Sequence, residues 1–130
     1  MAEPSRRYRF RHRQRLHGRR AFAGVFEAGL RYKSGPISLC VRPNGLAYNR
    51  YGLSVPRRVG KAVQRARIKR RLREAIRLTQ HDVPQGYDVV VAVRPHEVMH
   101  VDDYQSVVTT GLERLHQRFG KQAESRKDEA

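Results

Sequence analysis

The sequence predicts a mixed α+β sandwich, with helices packed on a small sheet in the order α-β-β-β-α-β-α. Three observations carry that prediction. Tyr87–Val93 (YDVVVAV) contains a continuous apolar run, as a central strand buried on both faces requires. Before it, Ile68, Leu72, Ala75 and Ile76 cluster on one side of a helix projected at about 100° per residue. After it, Tyr104, Val108, Leu112, Leu115 and Phe119 form a single apolar stripe.

In chain order, residues 1–15 (MAEPSRRYRFRHRQR) are too polar to bury anything and read as a flexible basic arm. Phe22, Val25 and Phe26 recur at helical spacing within Arg19–Ala28, and Gly29 is placed to end that helix. Arg31–Lys33, Ile37–Arg42 and Tyr48–Val55 follow as strands, the last after the turn Pro43-Asn44-Gly45. A helix from near Gly60 to about Leu78 joins the third strand to Tyr87–Val93, forming a βαβ-like crossover if those strands are parallel. Asp102 and Gln105 have the spacing of a capping box at the start of the last helix. One domain over 16–120 is expected, with 121–130 a disordered polar tail.

Charge narrows the function. The chain holds 28 Lys and Arg against 12 Asp and Glu, a formal net charge of +16. Residues 1–77 contain 22 of the basic side chains and three acidic ones, so the positive charge belongs to one surface. Arg57–Arg77 alone carries ten Lys or Arg and one acid, Glu74. Like charges at i+3 and i+4 cost about a few tenths of a kcal/mol per pair. Counterion release on a phosphate backbone supplies the compensation, which makes nucleic acid the leading partner. Cys40 stands alone, excluding an intrachain disulfide, and no apolar run approaches the roughly 20 residues of a membrane span. A soluble cytoplasmic protein with no membrane partner is expected.

The stretch GLSVPRRVGKAVQRARIKRRLREAIR (Gly52–Arg77) resembles the signature region of the bacterial ribonuclease P protein subunit. That family reads Gly-Leu-Ser-Val, a basic pair, Gly-Lys-Ala-Val, Arg-Asn-Arg, then Lys-Arg and Arg-Glu. The match extends to Leu16, Phe22, Val25-Phe26 and Gly29 on one side, and to Tyr87-Asp88 and Val93-Arg94-Pro95 on the other. The resemblance implies a ribosomal-protein-S5-domain-2-like fold with a left-handed βαβ crossover. It also implies a catalytic RNA subunit that uses divalent metal (Mg²⁺) to remove the 5′ leader from precursor tRNA. The protein's partners would then be that RNA and the leader, with no obligate protein partner. By matching positions, Arg57, Arg58, Lys61, Arg65, Arg67, Lys69, Arg70, Arg71 and Arg73 would face the catalytic RNA. Phe22, Phe26 and Arg94 would line or flank a leader cleft, and no catalytic side chain is expected in the protein. Two positions depart from the family pattern: Ala66 replaces the Asn between the arginines, and Cys40 stands where members often carry an aromatic.

The residues leave other readings open. Phe22 and Phe26 suit either core packing or base stacking. Composition alone equally fits a non-catalytic ribosomal or ribosome-assembly protein. His96-Glu97-Val98-Met99-His100 spells H-E-x-x-H, but it directly follows a strand and spans barely one turn, so a connecting turn is expected and no zinc.

Overall fold

The computed structural model describes residues 14–129, and the side chains of 14–125. Most of the basic arm therefore lies outside the described residues. Helix α1 (Arg19–Ala28) is followed by strands β1 (Leu30–Ser34), β2 (Ile37–Pro43) and β3 (Arg50–Ser54). A 3₁₀ turn at Arg57–Val59 leads into α2 (Ala62–Thr79), then β4 (Tyr87–Val93) and α3 (Val101–Glu129). The element order is the one the sequence predicts.

One four-stranded sheet runs in the order β1-β2-β4-β3. β1 and β2 form a hairpin across Gly35-Pro36, β2 pairs antiparallel with β4, and β3 pairs parallel with β4. Helix α2 is thus the crossover between two parallel neighbours.

The sheet is covered on both faces. Ile37, Leu39, Val41, Val89, Val91 and Val93 project toward α2 and α3, where they meet Ile68, Leu72, Ala75, Ile76, Tyr104, Val108, Leu112 and Leu115. The opposite face carries a smaller cluster of Leu16, Val25, Cys40 and Val90 under α1. Strand β4 feeds both clusters, which is why Val89–Val93 is continuously apolar instead of alternating. Leu72 is fully buried. Leu72→Ala should lower the unfolding free energy by about 2–5 kcal/mol, read from a denaturant midpoint that shifts at constant slope.

Two glycines make room for the packing of α1 on the sheet. A Cβ at Gly29 would lie 2.5 Å from the Val25 carbonyl and 2.8 Å from the Cys40 sulfur. Gly29 does end α1, but with extended backbone (φ −84°, ψ 156°) instead of the left-handed cap conformation. At Gly52 the Phe22 ring occupies the side-chain position, 2.5 Å from where a Cβ would stand.

Asp88 is buried and sits on β4 directly between Arg42 of β2 and Arg50 of β3. Arg50 donates from Nε and Nη2 to the two carboxylate oxygens, each at 2.8 Å, and Asn44 Nδ2 donates at 3.1 Å. Arg42 stands 3.8 Å away. A bidentate charged pair of this kind ties three strands together at one end of the sheet.

Tyr51 is buried beside Asn49, and burial pushes its phenol up to about 12. Between the unfolded value near 10 and about 12, the unfolded chain has released a proton that the folded chain keeps. Stability is therefore fully present below pH 10 and falls by about 3 kcal/mol as pH rises through that window. Tyr51→Phe should flatten this alkaline loss in a stability-versus-pH series.

Several boundaries differ from those the sequence predicts; β1 is longer than Arg31–Lys33 and β3 is shorter than Tyr48–Val55. Helix α2 starts at Ala62, because Arg57–Val59 forms its own short turn. Helix α3 starts at Val101: the Asp103 and Tyr104 amides donate to the His100 carbonyl, so Asp102 lies inside the first turn and caps nothing. There both Asp102 and Asp103 favour the positive end of the helix. The tail expected to be disordered continues as helix to Glu129, through residues such as Lys121, Gln122, Ala123 and Glu124 that are good helix formers.

Candidate nucleic-acid interface

Packing fixes which side of α2 is exposed. Ile68, Leu72, Ala75, Ile76 and Thr79 are pinned to the sheet and α3, which turns the basic residues outward. No side chain caps its first turn and no acid lies there, so the positive end of the helix dipole adds to Lys61, the N-cap residue.

The cations divide into sets. Arg65, Lys69, Arg70 and Arg73 line a groove of about 640 Å³, floored by Ala62 and Ala66. Arg65 is held by its own Nε, which donates to the Gly60 carbonyl at 3.2 Å. Lys61 and Arg67 lie on another side of the helix, beside Val63, Glu97 and Val98. Arg71 points to the connection before α3, where Nη1 donates to the Met99 carbonyl at 2.6 Å. That bond ties α2 to the connection. At the far end of the groove Glu74 pairs with Arg77, whose Nε donates at 3.0 Å. That bond holds the Glu74 carboxyl below its ordinary range.

A second surface opens on the α1 side of the sheet. Register places three cross-strand rows there, in the order β2, β4, β3. Arg42, Asp88 and Arg50 form the charged row already described. Cys40, Val90 and Gly52 form the middle row, roofed by α1, Leu16 and Phe22. Ser38, Ala92 and Ser54 form the third. These small side chains help line an open cleft of about 190 Å³, together with Phe26, Arg31, Arg58 and Arg94. The Arg31 guanidinium lies 5.7 Å from the centre of the Phe26 ring. An aromatic face ringed by cations over a small-residue floor suits a single nucleic-acid strand, with bases stacking and phosphates paired.

Several sequence-predicted residues are thereby placed. Phe26 and Arg94 share the cleft. Phe22 is half-buried over Gly52 and shares an open apolar surface of α1 with Ala23 and Phe26; of the two phenylalanines, Phe26 lines the cleft. Arg58, grouped by sequence with the basic helix, lines the cleft instead, because the 3₁₀ turn carries it away from α2. Arg57 is exposed in the same turn. Arg31 belongs to the cleft although no motif singled it out; its signal is only the outward position in an edge strand.

Cys40 offers no base-stacking surface. It is buried beneath α1, donates its thiol hydrogen to the Val25 carbonyl at 3.2 Å, and burial pushes the thiol up. His96 is likewise occupied: Nδ1 lies 2.8 Å from the Arg94 carbonyl and Nε2 lies 2.7 Å from the Tyr104 hydroxyl. The segment holding His96 and His100 is not helical, so the two rings do not share a helix face. Among the described residues, no group of three or more His, Cys, Asp or Glu side chains is arranged to hold a metal ion. No helix there is long and apolar enough to cross a membrane.

The sequence profile of the family described as Ribonuclease P matches residues 10–119. The chain belongs to that family. The ribonuclease P protein component of Thermotoga maritima is 39% identical over 85 residues, covering 65% of this chain and 73% of that one. The ribonuclease P protein component of Natranaerobius thermophilus is 44% identical over 73 residues, 56% of this chain and 64% of that one. The solved structure of the T. maritima ribonuclease P protein superposes with a TM-score of 0.59 at 38% identity, covering 62% of this chain and 73% of that one. The ribonuclease P protein structure from Staphylococcus aureus shares the fold, with a TM-score of 0.67 over 83% of this chain and 89% of that one, at 22% identity.

As a ribonuclease P protein, the chain is the RNA-binding component of a ribonucleoprotein that processes tRNA, and it associates with the RNA of that enzyme. The ribosome-assembly alternative is set aside on the same grounds. Signature residues acquire physical reasons too. The missing side chain at Gly52 makes room for the Phe22 ring, and Asp88 is the buried partner of two arginines on the flanking strands.

Proposed function

We propose that this ribonuclease P protein docks on the catalytic RNA through α2 while holding the 5′ leader of precursor tRNA in the cleft beneath Phe26. The observation that carries the reading is the separation of the two surfaces. Helix α2 packs on one face of the sheet, while the cleft opens on the other, beside α1. One molecule can therefore face two RNA strands at once, with Arg65, Lys69, Arg70 and Arg73 on one side and Arg31, Arg58 and Arg94 on the other.

The chemistry belongs to the RNA. Divalent metal supplies the activated water or hydroxide for phosphodiester hydrolysis and is expected on the RNA subunit. This chain's residues bind, orient and neutralise. Its positive charge offsets repulsion between two polyanions, which raises precursor affinity and lowers the Mg²⁺ concentration the particle needs. The place of action is the cytoplasm.

The test is 5′-leader release from a precursor tRNA at low Mg²⁺, using the cognate ribonuclease P RNA with and without this protein. Cleavage that depends on both components supports the reading. RNA binding with no stimulation of cleavage contradicts it.

A further inference from the structure

The groove along α2 has a second wall that does not come from the helix. Arg15 lines it opposite Arg65, Lys69, Arg70 and Arg73. Its placement is built into the backbone. Arg15 forms a parallel bridge with Tyr51 on the edge strand β3, and the Leu16 amide donates to the Tyr51 carbonyl at 2.8 Å. Successive side chains of an extended segment point to opposite faces. Leu16 is 6% exposed in the cluster under α1, so Arg15 must emerge on the α2 side.

The floor has the complementary property. Ala62 and Ala66 lie one helical turn apart and carry only methyl groups, which leaves a channel between the arginines of α2 and Arg15. The channel is also directional. At its C-terminal end the Glu74 carboxylate repels phosphate and engages Arg77. The N-terminal half of α2 has no acidic neighbour in the groove and lies at the positive end of the helix dipole.

We propose that Arg15 and α2 form a two-walled clamp that grips one phosphodiester strand of RNA over the N-terminal half of α2. The inference rests on α2 being the RNA-docking surface and adds to it a binding residue outside the helix. Because the backbone at Arg15 is already tied to β3, little freedom remains to be lost when the side chain meets a phosphate.

The experiment measures the dissociation constant of the full chain for its cognate ribonuclease P RNA from about 0.05 to 0.5 M KCl, a range over which counterion release is read as a log–log slope. Arg15→Ala should weaken binding several-fold at the low-salt end and make the slope shallower by about 0.7–0.9, the range for one lost phosphate contact on a single strand or a duplex. Arg15→Lys should restore the slope. Arg15 is exposed, so the melting temperature should stay at the wild-type value. Arg114→Ala, which removes an equal charge from α3 beside Tyr32, should leave the slope unchanged. If Arg15→Ala keeps the wild-type slope while Arg70→Ala loses about 0.7–0.9, the clamp is overturned and the docking surface stands. If Arg70→Ala also keeps the slope, the docking surface itself is wrong.

Discussion

Replacing Arg65 and Arg70 together by glutamate should reduce affinity for the catalytic RNA at least ~100-fold at low salt, since each charge-assisted hydrogen bond contributes about 1.5–3 kcal/mol. The slope of log K against log salt should fall by about 1.4–1.8, the share of two phosphates. Both side chains line the groove, and neither belongs to the buried face of α2, where Ile68, Leu72, Ala75, Ile76 and Thr79 do the packing. The double variant should therefore melt close to the wild type: it loses the Arg65 bond to the Gly60 carbonyl, while removal of like-charge neighbours favours the helix. Arg71→Glu is the instructive contrast. Arg71 holds the Met99 carbonyl at 2.6 Å, so its loss should lower stability before it lowers RNA affinity. Filter binding over a salt series, paired with thermal melts, checks all four statements.

The second large effect concerns the cleft. Phe26→Ala combined with Arg94→Ala should leave docking on the catalytic RNA intact and weaken the assembled particle's grip on precursor tRNA. A lost stacking platform alone is worth about 1–3 kcal/mol, or about fivefold to 150-fold in affinity. The loss should vanish for mature tRNA, which has no leader to place on Phe26. Arg58→Ala should behave like Arg94→Ala and unlike Arg70→Ala, because the 3₁₀ turn puts it over the cleft. Phe22→Ala is a poorer probe: its ring packs on Gly52, so a stability loss would accompany any effect on the leader.

The ease of reading these surfaces from sequence follows the range of the interactions that build them. Helix α1 spans Arg19–Ala28 as its spacing predicts, and β4 spans Tyr87–Val93, because both signals are local and periodic. The buried side of α2 was equally legible, since Ile68, Leu72, Ala75 and Ile76 recur at helical spacing. What periodicity cannot show is register between distant strands. Ser38, Ala92 and Ser54 form a row in the cleft only because β2 and β3 both pair with β4. The same pairing sets Asp88 between Arg42 and Arg50, and neither row has a signature in any one segment. A charge count along Arg57–Arg77 treats ten cations as one surface. The fold splits them among the groove, the Glu97 side, the Met99 connection and the cleft. Arg15 was hidden for a further reason: a single bridge to an edge strand is too short to leave a pattern.

The central claim is that one molecule presents different RNAs to its two faces at the same time. Site-directed photo-crosslinking in the assembled particle tests it most directly. A photoreactive group is attached through Ala66→Cys in the groove or Ser54→Cys in the cleft. Cys40 is buried under α1 and should stay unlabelled. The account predicts that the groove probe crosslinks only to the catalytic RNA and the cleft probe only to the precursor leader. Crosslinks from both positions to the same RNA would contradict it.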